Sequence, residues 1–225
     1  KEGLRLRYAG IKAPILVLGN LHTKKDLIIC FKNDLMPTIS SLRECLICNN
    51  IGKHFGFKFP LHLKVDTGMS RLGFDCNKFI QQFKKIKSFE NISIEGLYSH
   101  LSCADAINAL DSKSSAQLQK NKFKKLIETI NFDINHNVKI HFANSAGMLL
   151  NKDFHFDMVR VGLSIYGYSP LAKIDKNLCL KPALFLKVKV AFIRVIDQGV
   201  RVSYGGKFVS SRKTKLAVLS IGYAD

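Results

Sequence analysis

The 225-residue sequence predicts an α/β protein: an incomplete (β/α)8 barrel of the TIM type that lacks its first strands, followed by the start of an all-β domain. Three observations support this. Strand-like apolar runs alternate with helical apolar periods over residues 1–175, polar residues repeatedly follow the predicted strand ends, and residues 176–225 hold β-rich runs without a helical period. Alternating strands and helices form parallel sheets, and polar groups past the strand ends favour a barrel over an open sheet.

The individual elements follow from two periodicities. Short apolar or alternating runs predict strands, whereas apolar residues spaced three and four apart predict helices. The predicted strands are residues 13–19, 27–31, 59–65, 92–100, 138–142 and 158–166. The predicted helical faces contain Ile39, Leu42 and Leu46; Phe79, Phe83 and Ile86; and Phe123, Leu126, Ile127 and Ile130. About six strands are two fewer than this barrel requires, so two strands are expected to precede the chain.

A change of pattern near residues 171–182 predicts the boundary between the domains. A stretch rich in Lys, Asp and Asn leads to Pro182, and the boundary is placed between residues 175 and 176. The strands predicted beyond it are residues 184–196, 201–204 and 215–221. The Gly-Gly pair at 205–206 is typical of a turn between strands.

Charge and hydropathy limit the possible partners. A formal net charge of +18 and a pI near 9.7 raise nucleic acid or an anionic membrane as candidates. The lysines are scattered over predicted helix faces without interleaved aromatic residues, so a solvated surface is favoured and neither partner is expected. No apolar run reaches the roughly 18 residues of a membrane helix, and KEGLRLRYAG lacks a signal-peptide core. We therefore expect a cytoplasmic protein, and the Lys at position 1 indicates part of a longer chain.

Six cysteines are spread along the sequence, and reduced thiols are expected in a protein without an export signal. Cys45 and Cys48 form a CxxC motif, but no second ligand pair follows nearby, so no metal site is predicted. Their spacing on an apolar helical face indicates buried small side chains.

The stretch KVDTGMSRLGF, residues 64–74, lies at a predicted strand end. The alternation of apolar and polar residues before it stops at Thr67. Lys64, Asp66 and Arg71 therefore project from the strand end and the following loop, where an α/β barrel places its active site. A solvated charged turn is the alternative for such a triplet alone.

Other predicted strand ends carry further candidates. His100 lies in LYSHLSCAD, Ser145 in HFANSAG and Arg160 between two valines in FDMVRVGLSIYG. A structural histidine is the alternative for His100, and a helix cap is the alternative for Asn144 and Ser145. A buried guanidinium needs an acceptor, for which a bound ligand is one candidate. Ser145 and the backbone of Gly162 together form a candidate phosphate site.

Taken in order, these motifs resemble those of the alanine racemase family, pyridoxal-phosphate (PLP) enzymes built from a barrel and a β-domain. The resemblance covers essentially the whole chain and rests on APILVLG, KVDTGMSRLGF, GLYSHLSCAD, HFANSAG, FDMVRVGLSIYGYSP, VSYGGKF and IGYAD. It implies that a homodimer interconverts L-alanine and D-alanine with PLP as cofactor, and that D-alanine supplies peptidoglycan synthesis.

The resemblance also implies roles for residues of the barrel. Arg160 resembles the arginine that donates to the pyridine nitrogen of PLP. Ser145, Gly162 and Leu163 resemble part of the phosphate site. His100 is assigned to both the catalytic and the cofactor-binding groups, because its positive charge and that of Arg160 would favour the phenolate form of a catalytic tyrosine.

Four more residues resemble functional positions of the family. Arg71 resembles the arginine facing the phenolic oxygen of PLP, close to the substrate. Lys64 resembles a lysine that is carbamylated in many members, and a carbamate would orient Arg71. Tyr204 resembles the catalytic tyrosine contributed by the second subunit, and Tyr223 resembles a residue lining the substrate entrance.

One expected group is missing from this sequence. The family's other base is the lysine that binds PLP covalently, within a Lys-Ala-Asn-Ala-Tyr-Gly-like motif that these residues lack. The 225 residues alone are therefore expected to be inactive. The alternatives are a racemase of the same fold for serine or another small amino acid, and a non-catalytic PLP-binding protein.

Overall fold

The computed structural model describes residues 1–21, 23–130, 138–172 and 179–223. The chain divides into two compact units, Lys1–Lys181 and Pro182–Asp225. The predicted boundary between residues 175 and 176 lies outside the described residues.

The first unit contains a parallel sheet whose strands follow one another in chain order. The strands are β1 (Ile15–Val17), β2 (Leu35–Ile39), β3 (Phe59–Asp66), β4 (Phe74–Asp75), β5 (Ile92–Tyr98) and β6 (Lys139–His141). Neighbouring strands run in the order β1, β2, β3, β5 and β6, and the short β4 pairs with the end of β3. All these ladders are parallel, which confirms the predicted incomplete barrel.

Six described α-helices accompany the sheet. They are α1 (Glu2–Tyr8), α2 (Lys24–Lys32), α3 (Leu42–Phe55), α4 (Cys76–Lys87), α5 (Ser115–Ile130) and α6 (Ser145–Leu150). Side chains of Thr23, Ser41 and Asp75 cap α2, α3 and α4 by accepting backbone N–H groups of the first turn. Within the described ranges, no helix has the length and apolar character needed to cross a membrane.

Strand β3 is buried on both of its faces. Leu61, Leu63 and Val65 belong to the hydrophobic core, and the strand contacts α3 and α4. His62 and Lys64 alternate with them and are also buried, each only 4% exposed. Because successive side chains of a strand point to opposite faces, these two polar groups share the face away from the apolar set.

The buried cysteines are placed as the sequence predicts. Cys45 and Cys48 are fully buried on α3, and burial raises the pKa of Cys45 to about 12. Their thiols therefore remain protonated near neutral pH and act as small apolar side chains.

The strand predicted at residues 27–31 is wrong, because this run belongs to α2. Thr23 accepts the backbone N–H of Asp26 and starts the helix, and Leu27 and Cys30 bury one face of it. A short apolar run has the same pattern in a strand as on a buried helical face. The strand of this region is β2, in which Pro37 lies opposite Val17 of β1.

The strand predicted at residues 158–166 is also wrong. Only Met158 forms a β-bridge, with His141, and residues Leu163–Tyr166 form a 3-10 helix. The hydroxyl of Ser145 accepts the backbone N–H groups of Gly162 and Ser164. Those two donors are consequently not available to extend a sheet ladder.

The second unit contains only β-strands and turns among its described residues, as predicted. Strands β7 (Val190–Ile196) and β10 (Thr214–Leu219) pair antiparallel, as do β8 (Arg201–Val202) and β9 (Phe208–Val209). The 3-10 turn Tyr204–Gly206 joins β8 to β9, so the predicted strand at residues 201–204 ends two residues early.

Candidate functional site

An open cavity of about 340 Å³ lies where the chain leaves β5 and β6. Its lining includes six residues singled out from the sequence: His100, Asn144, Ser145, Arg160, Gly162 and Leu163. The parallel register brings the ends of β5 and β6 to one edge of the sheet. The volume is within the range of about 300 to 1,000 Å³ that is usual for small-molecule sites.

Arg160 is held between the ends of two strands. Its Nη1 donates to Nδ1 of His141 at 2.7 Å, and its Nη2 donates to the carbonyl oxygens of Ser99 at 2.7 Å and Phe142 at 3.2 Å. The guanidinium carbon lies 4.7 Å from the ring centroid of Tyr98. Burial lowers the pKa of Arg160 to about 10, so the group stays protonated at neutral pH. A guanidinium has five N–H donors, and these contacts leave some of them for a ligand in the cavity.

The histidines around Arg160 are neutral. Burial, followed by the charge of Arg160, lowers the pKa of His141 to about 2 and that of His100 to about 4. Nδ1 of His100 lies 3.3 Å from Nη2 of Arg160. The expectation that His100 adds positive charge to the site is therefore wrong, because desolvation and neighbouring cations favour its uncharged form.

Lys64, Tyr98 and His141 form a row across β3, β5 and β6. Lys64 lies opposite Tyr98 and Tyr98 opposite His141 in the strand register. The rings of Tyr98 and His141 stack with centroids 4.5 Å apart, and the Tyr98 hydroxyl forms a 2.8 Å hydrogen bond with Thr38 on β2. One aromatic ring thus fixes the spacing of the polar groups on this face.

Lys64 is a buried amine among positive charges. Its Nζ lies 5.6 Å from the centroid of Tyr98. Burial lowers the pKa of Lys64, and the charges of Arg71 and Arg160 lower it further, while Asp66 raises it. The amine is consequently easier to deprotonate than an exposed lysine.

Ser145 joins α6 to the segment after Arg160. Its Oγ accepts the N–H of Gly162 at 3.0 Å and that of Ser164 at 3.3 Å. Asn144 caps the same helix by accepting the N–H of Gly147, which confirms the capping interpretation of Asn144. The Ser145 hydroxyl and the backbone of Gly162, which are hydrogen-bonded to each other, therefore both line the cavity.

Asp66 shapes the loop that carries Arg71. Its Oδ1 accepts three successive backbone N–H groups, those of Gly68, Met69 and Ser70, at 2.8 to 3.1 Å. Asp66 therefore has a structural role in the loop. Arg71 is exposed on this loop, and its charge lowers the pKa of Lys64 and of His100.

Gln119 on α5 links the loops that follow β3 and β5. Its Nε2 donates to the carbonyl oxygen of His100 at 2.9 Å and lies 3.4 Å from Oγ1 of Thr67. Its Oε1 accepts the N–H of Ser102 at 3.0 Å and the hydroxyl of Ser102 at 2.9 Å. A Cβ added at Gly68 would lie 3.2 Å from the Gln119 side chain. This amide is 3% exposed, so its bonds form away from competing water.

Tyr204 and Tyr223 belong to the second unit. Tyr204 begins the 3-10 turn between β8 and β9 and is 92% exposed, and Tyr223 is 99% exposed. Both phenols are accessible on this unit for contacts with other groups.

Sequence reasoning missed four polar residues of the site: His62, Tyr98, Gln119 and His141. The alternation of side chains along the predicted strand could have identified one of them, His62. His62 lies two residues before Lys64 on β3, so both must point to the same face. The role of Gln119 had no such signal, because it depends on where α5 packs.

Comparison with known proteins gives the family. Residues 1–170 match the family model described as alanine racemase, N-terminal domain, and residues 183–225 match that of the alanine racemase C-terminal domain. The chain belongs to the alanine racemase family. The resemblance inferred from the sequence motifs is thereby confirmed.

Curated relatives named alanine racemase match along the whole chain. The protein of Prochlorococcus marinus is 46% identical over 225 residues, and that of Halothermothrix orenii is 37% identical over 227 residues. Both alignments cover 100% of this chain and 58% of the relative. The chain therefore spans little more than half the length of these family members.

Solved structures of alanine racemases are similar to this chain over its whole length. The alanine racemase of Clostridium difficile 630 has a TM-score of 0.76 at 34% identity, covering 100% of this chain and 58% of that one. The enzyme of Bartonella henselae has a TM-score of 0.71 at 31% identity over 100% and 59% of the two chains, and is described with covalently bound pyridoxal phosphate.

Replacing Gln119 by Met should loosen the two loops without emptying the core, because Met has similar length but no hydrogen-bonding amide. Amide hydrogen exchange at Ser102 should accelerate roughly fivefold, the effect of losing about 1 kcal/mol of hydrogen bonding. Gln117→Met on the same helix is the matched control and should leave this exchange unchanged. Unaltered protection of Ser102 in Gln119→Met would contradict the role of Gln119.

Proposed function

We propose that the intact gene product is an alanine racemase that uses PLP to interconvert L-alanine and D-alanine, supplying D-alanine for peptidoglycan. The observation that carries this is the cavity lined by Arg160, whose guanidinium is bonded to His141, Ser99 and Phe142, together with Ser145 and Gly162. Membership of the alanine racemase family supports the same conclusion.

The donor set of the cavity fits PLP. Arg160 would donate to the ring nitrogen, which is a hydrogen-bond acceptor when unprotonated. Ser145, whose Oγ accepts the N–H of Gly162, would donate its own O–H to the phosphate, and the backbone of Gly162 and Leu163 would line the same end of the cofactor. Arg71 would face the phenolic oxygen. His100 is the remaining residue proposed to bind the cofactor, and its Nδ1 lies 3.3 Å from Nη2 of Arg160. Arg160, Ser145 and Arg71 thus each complement the charge or hydrogen-bonding capacity of the PLP group that they would meet.

Bound PLP supplies an electron sink that acidifies the Cα–H bond of an amino acid. The chain controls the strength of that sink through Arg160, because a guanidinium with a pKa of about 10 donates a hydrogen bond and retains its proton. His100 and His141 are neutral and cannot protonate the ring in its place. Arg160 would therefore limit how strongly bound PLP acidifies the Cα–H bond of the substrate.

Racemisation requires a proton to leave Cα on one face and to return on the other. We assign one face to the phenol of Tyr204, acting across the interface of a homodimer, and the other to a lysine outside these 225 residues. Arg71 would orient the substrate, and Tyr223 would line its entrance. Both tyrosines lie within residues 183–225, and the match of this segment to the alanine racemase C-terminal domain supports these assignments.

The intact gene product should racemise L-alanine in the presence of PLP, and Tyr204→Phe should slow proton removal on one face by about 100-fold or more. Measuring both reaction directions checks this, and Tyr8→Phe, at an exposed tyrosine of α1, is the control. Serine assayed in parallel tests the alternative substrate. Bound PLP without racemisation of any amino acid would indicate a non-catalytic protein, and wild-type rates in Tyr204→Phe would remove that residue from the mechanism.

We also propose that Lys64 is carbamylated. Its amine is buried and has a lowered pKa, so the neutral nitrogen can bond to the carbon of CO2 and release a proton. The resulting anion would offset the positive charges of Arg71 and Arg160 around it.

Intact mass measured without acid should show the added mass of CO2 on the gene product, and Lys64→Ala should lack it. Acidification should remove the added mass, because carbamates decompose in acid. The unmodified mass at neutral pH in bicarbonate buffer would disprove the modification.

We assign the protein to the cytoplasm, because all six cysteines are free thiols. Recovery of the protein in the cytoplasmic fraction of lysed cells would support this assignment, and recovery with exported proteins would oppose it.

A further inference from the structure

A directional hydrogen-bond chain runs from Arg160 through His141 to His62. Arg160 Nη1 lies 2.7 Å from Nδ1 of His141, and Nε2 of His141 lies 2.9 Å from Nδ1 of His62. Both imidazoles are buried, at 0% exposure for His141 and 4% for His62. The chain therefore connects the candidate cofactor site to the interior of the sheet.

The direction of this chain follows from the chemistry of its first member. A guanidinium has no acceptor, so His141 must present an unprotonated Nδ1 and carry its proton on Nε2. Nε2–H of His141 then donates to Nδ1 of His62, which must also be unprotonated. A proton on the wrong nitrogen of either ring would place two donors against each other.

The sheet makes room for His62 at one position. Gly96 of β5 lies opposite His62 of β3, and a Cβ at Gly96 would overlap the His62 ring. The β3–β5 register also shifts between Leu61 and His62. A glycine and an irregular register at the same place hold the ring where it meets His141.

We propose that His62 is a positioning residue of the site: by accepting the Nε2–H of His141, it stabilises the tautomer that Arg160 requires, because without His62 this buried N–H would have no acceptor. Burial lowers the pKa of His62 to about 4, which agrees with a neutral acceptor. His62 does not reach the cavity itself, and it acts through His141 and Arg160. The effect on catalysis rests on the proposed function, whereas the tautomer assignment does not.

Two substitutions of His62 separate its acceptor from its bulk. His62→Asn places an amide oxygen at the position of Nδ1 and can still accept, whereas His62→Leu fills similar space without an acceptor. His54→Leu, at an exposed histidine near the end of α3, is the control. Imidazole 15N spectra of the intact gene product report which nitrogen of His141 is protonated, with a His141→Gln variant to assign its signals.

Wild type and His62→Asn should show His141 unprotonated at Nδ1 and protonated at Nε2, and His62→Leu should show a mixture of tautomers. With PLP and alanine, kcat should fall about 10-fold or more in His62→Leu and recover in His62→Asn. A protonated Nδ1 of His141 in the wild type would overturn the proposal even if His62→Leu did not fold. An unchanged spectrum and kcat in a folded His62→Leu would overturn it as well. Absence of racemisation in the wild type would instead count against the proposed function. The 15N spectra would still decide whether His62 stabilises the proposed tautomer of His141.

Discussion

The site depends on one constraint: a permanently charged guanidinium lies partly buried where the parallel strands β5 and β6 end. Arg160 can only donate, so every group around it must accept or stay clear of its protons. Backbone carbonyls of Ser99 and Phe142 and the imidazole of His141 meet this requirement. Removal of any of these acceptors would leave a desolvated donor, which costs more than the hydrogen bond contributes.

Burial and this cation together set the charges of the neighbouring groups. Burial of the site, followed by the charge of Arg160, keeps His100 and His141 neutral. Burial, followed by the charges of Arg71 and Arg160, lowers the pKa of Lys64. Tyr98 holds these groups in place by packing, because its ring stacks on His141 and lies close to both Arg160 and Lys64. Because the cationic groups Arg160, Lys64 and Arg71 lie near one another, an anionic partner such as a phosphate or a carbamate would offset their charge.

Two loops complete the site through interactions of their own. Asp66 folds the loop after β3 around its carboxylate, and Gln119 binds that loop to the one after β5. Asp66 looked like a candidate for chemistry because it follows a strand end, but its oxygen is occupied by backbone donors. Position at a strand end thus indicates where a site lies and does not by itself assign a catalytic role.

The sequence by itself determined the fold class, the family and the strand ends where the site forms, because hydrophobic periods and ordered motifs are local properties of the chain. It did not distinguish the helix at Lys24–Lys32 from a strand, since short buried runs look alike in both. Only the tertiary structure decided that His100 is neutral and that His62, His141 and Gln119 support the site. Desolvation, tautomer choice and loop contacts depend on residues far apart in the chain, and only the packed sheet brings those residues together.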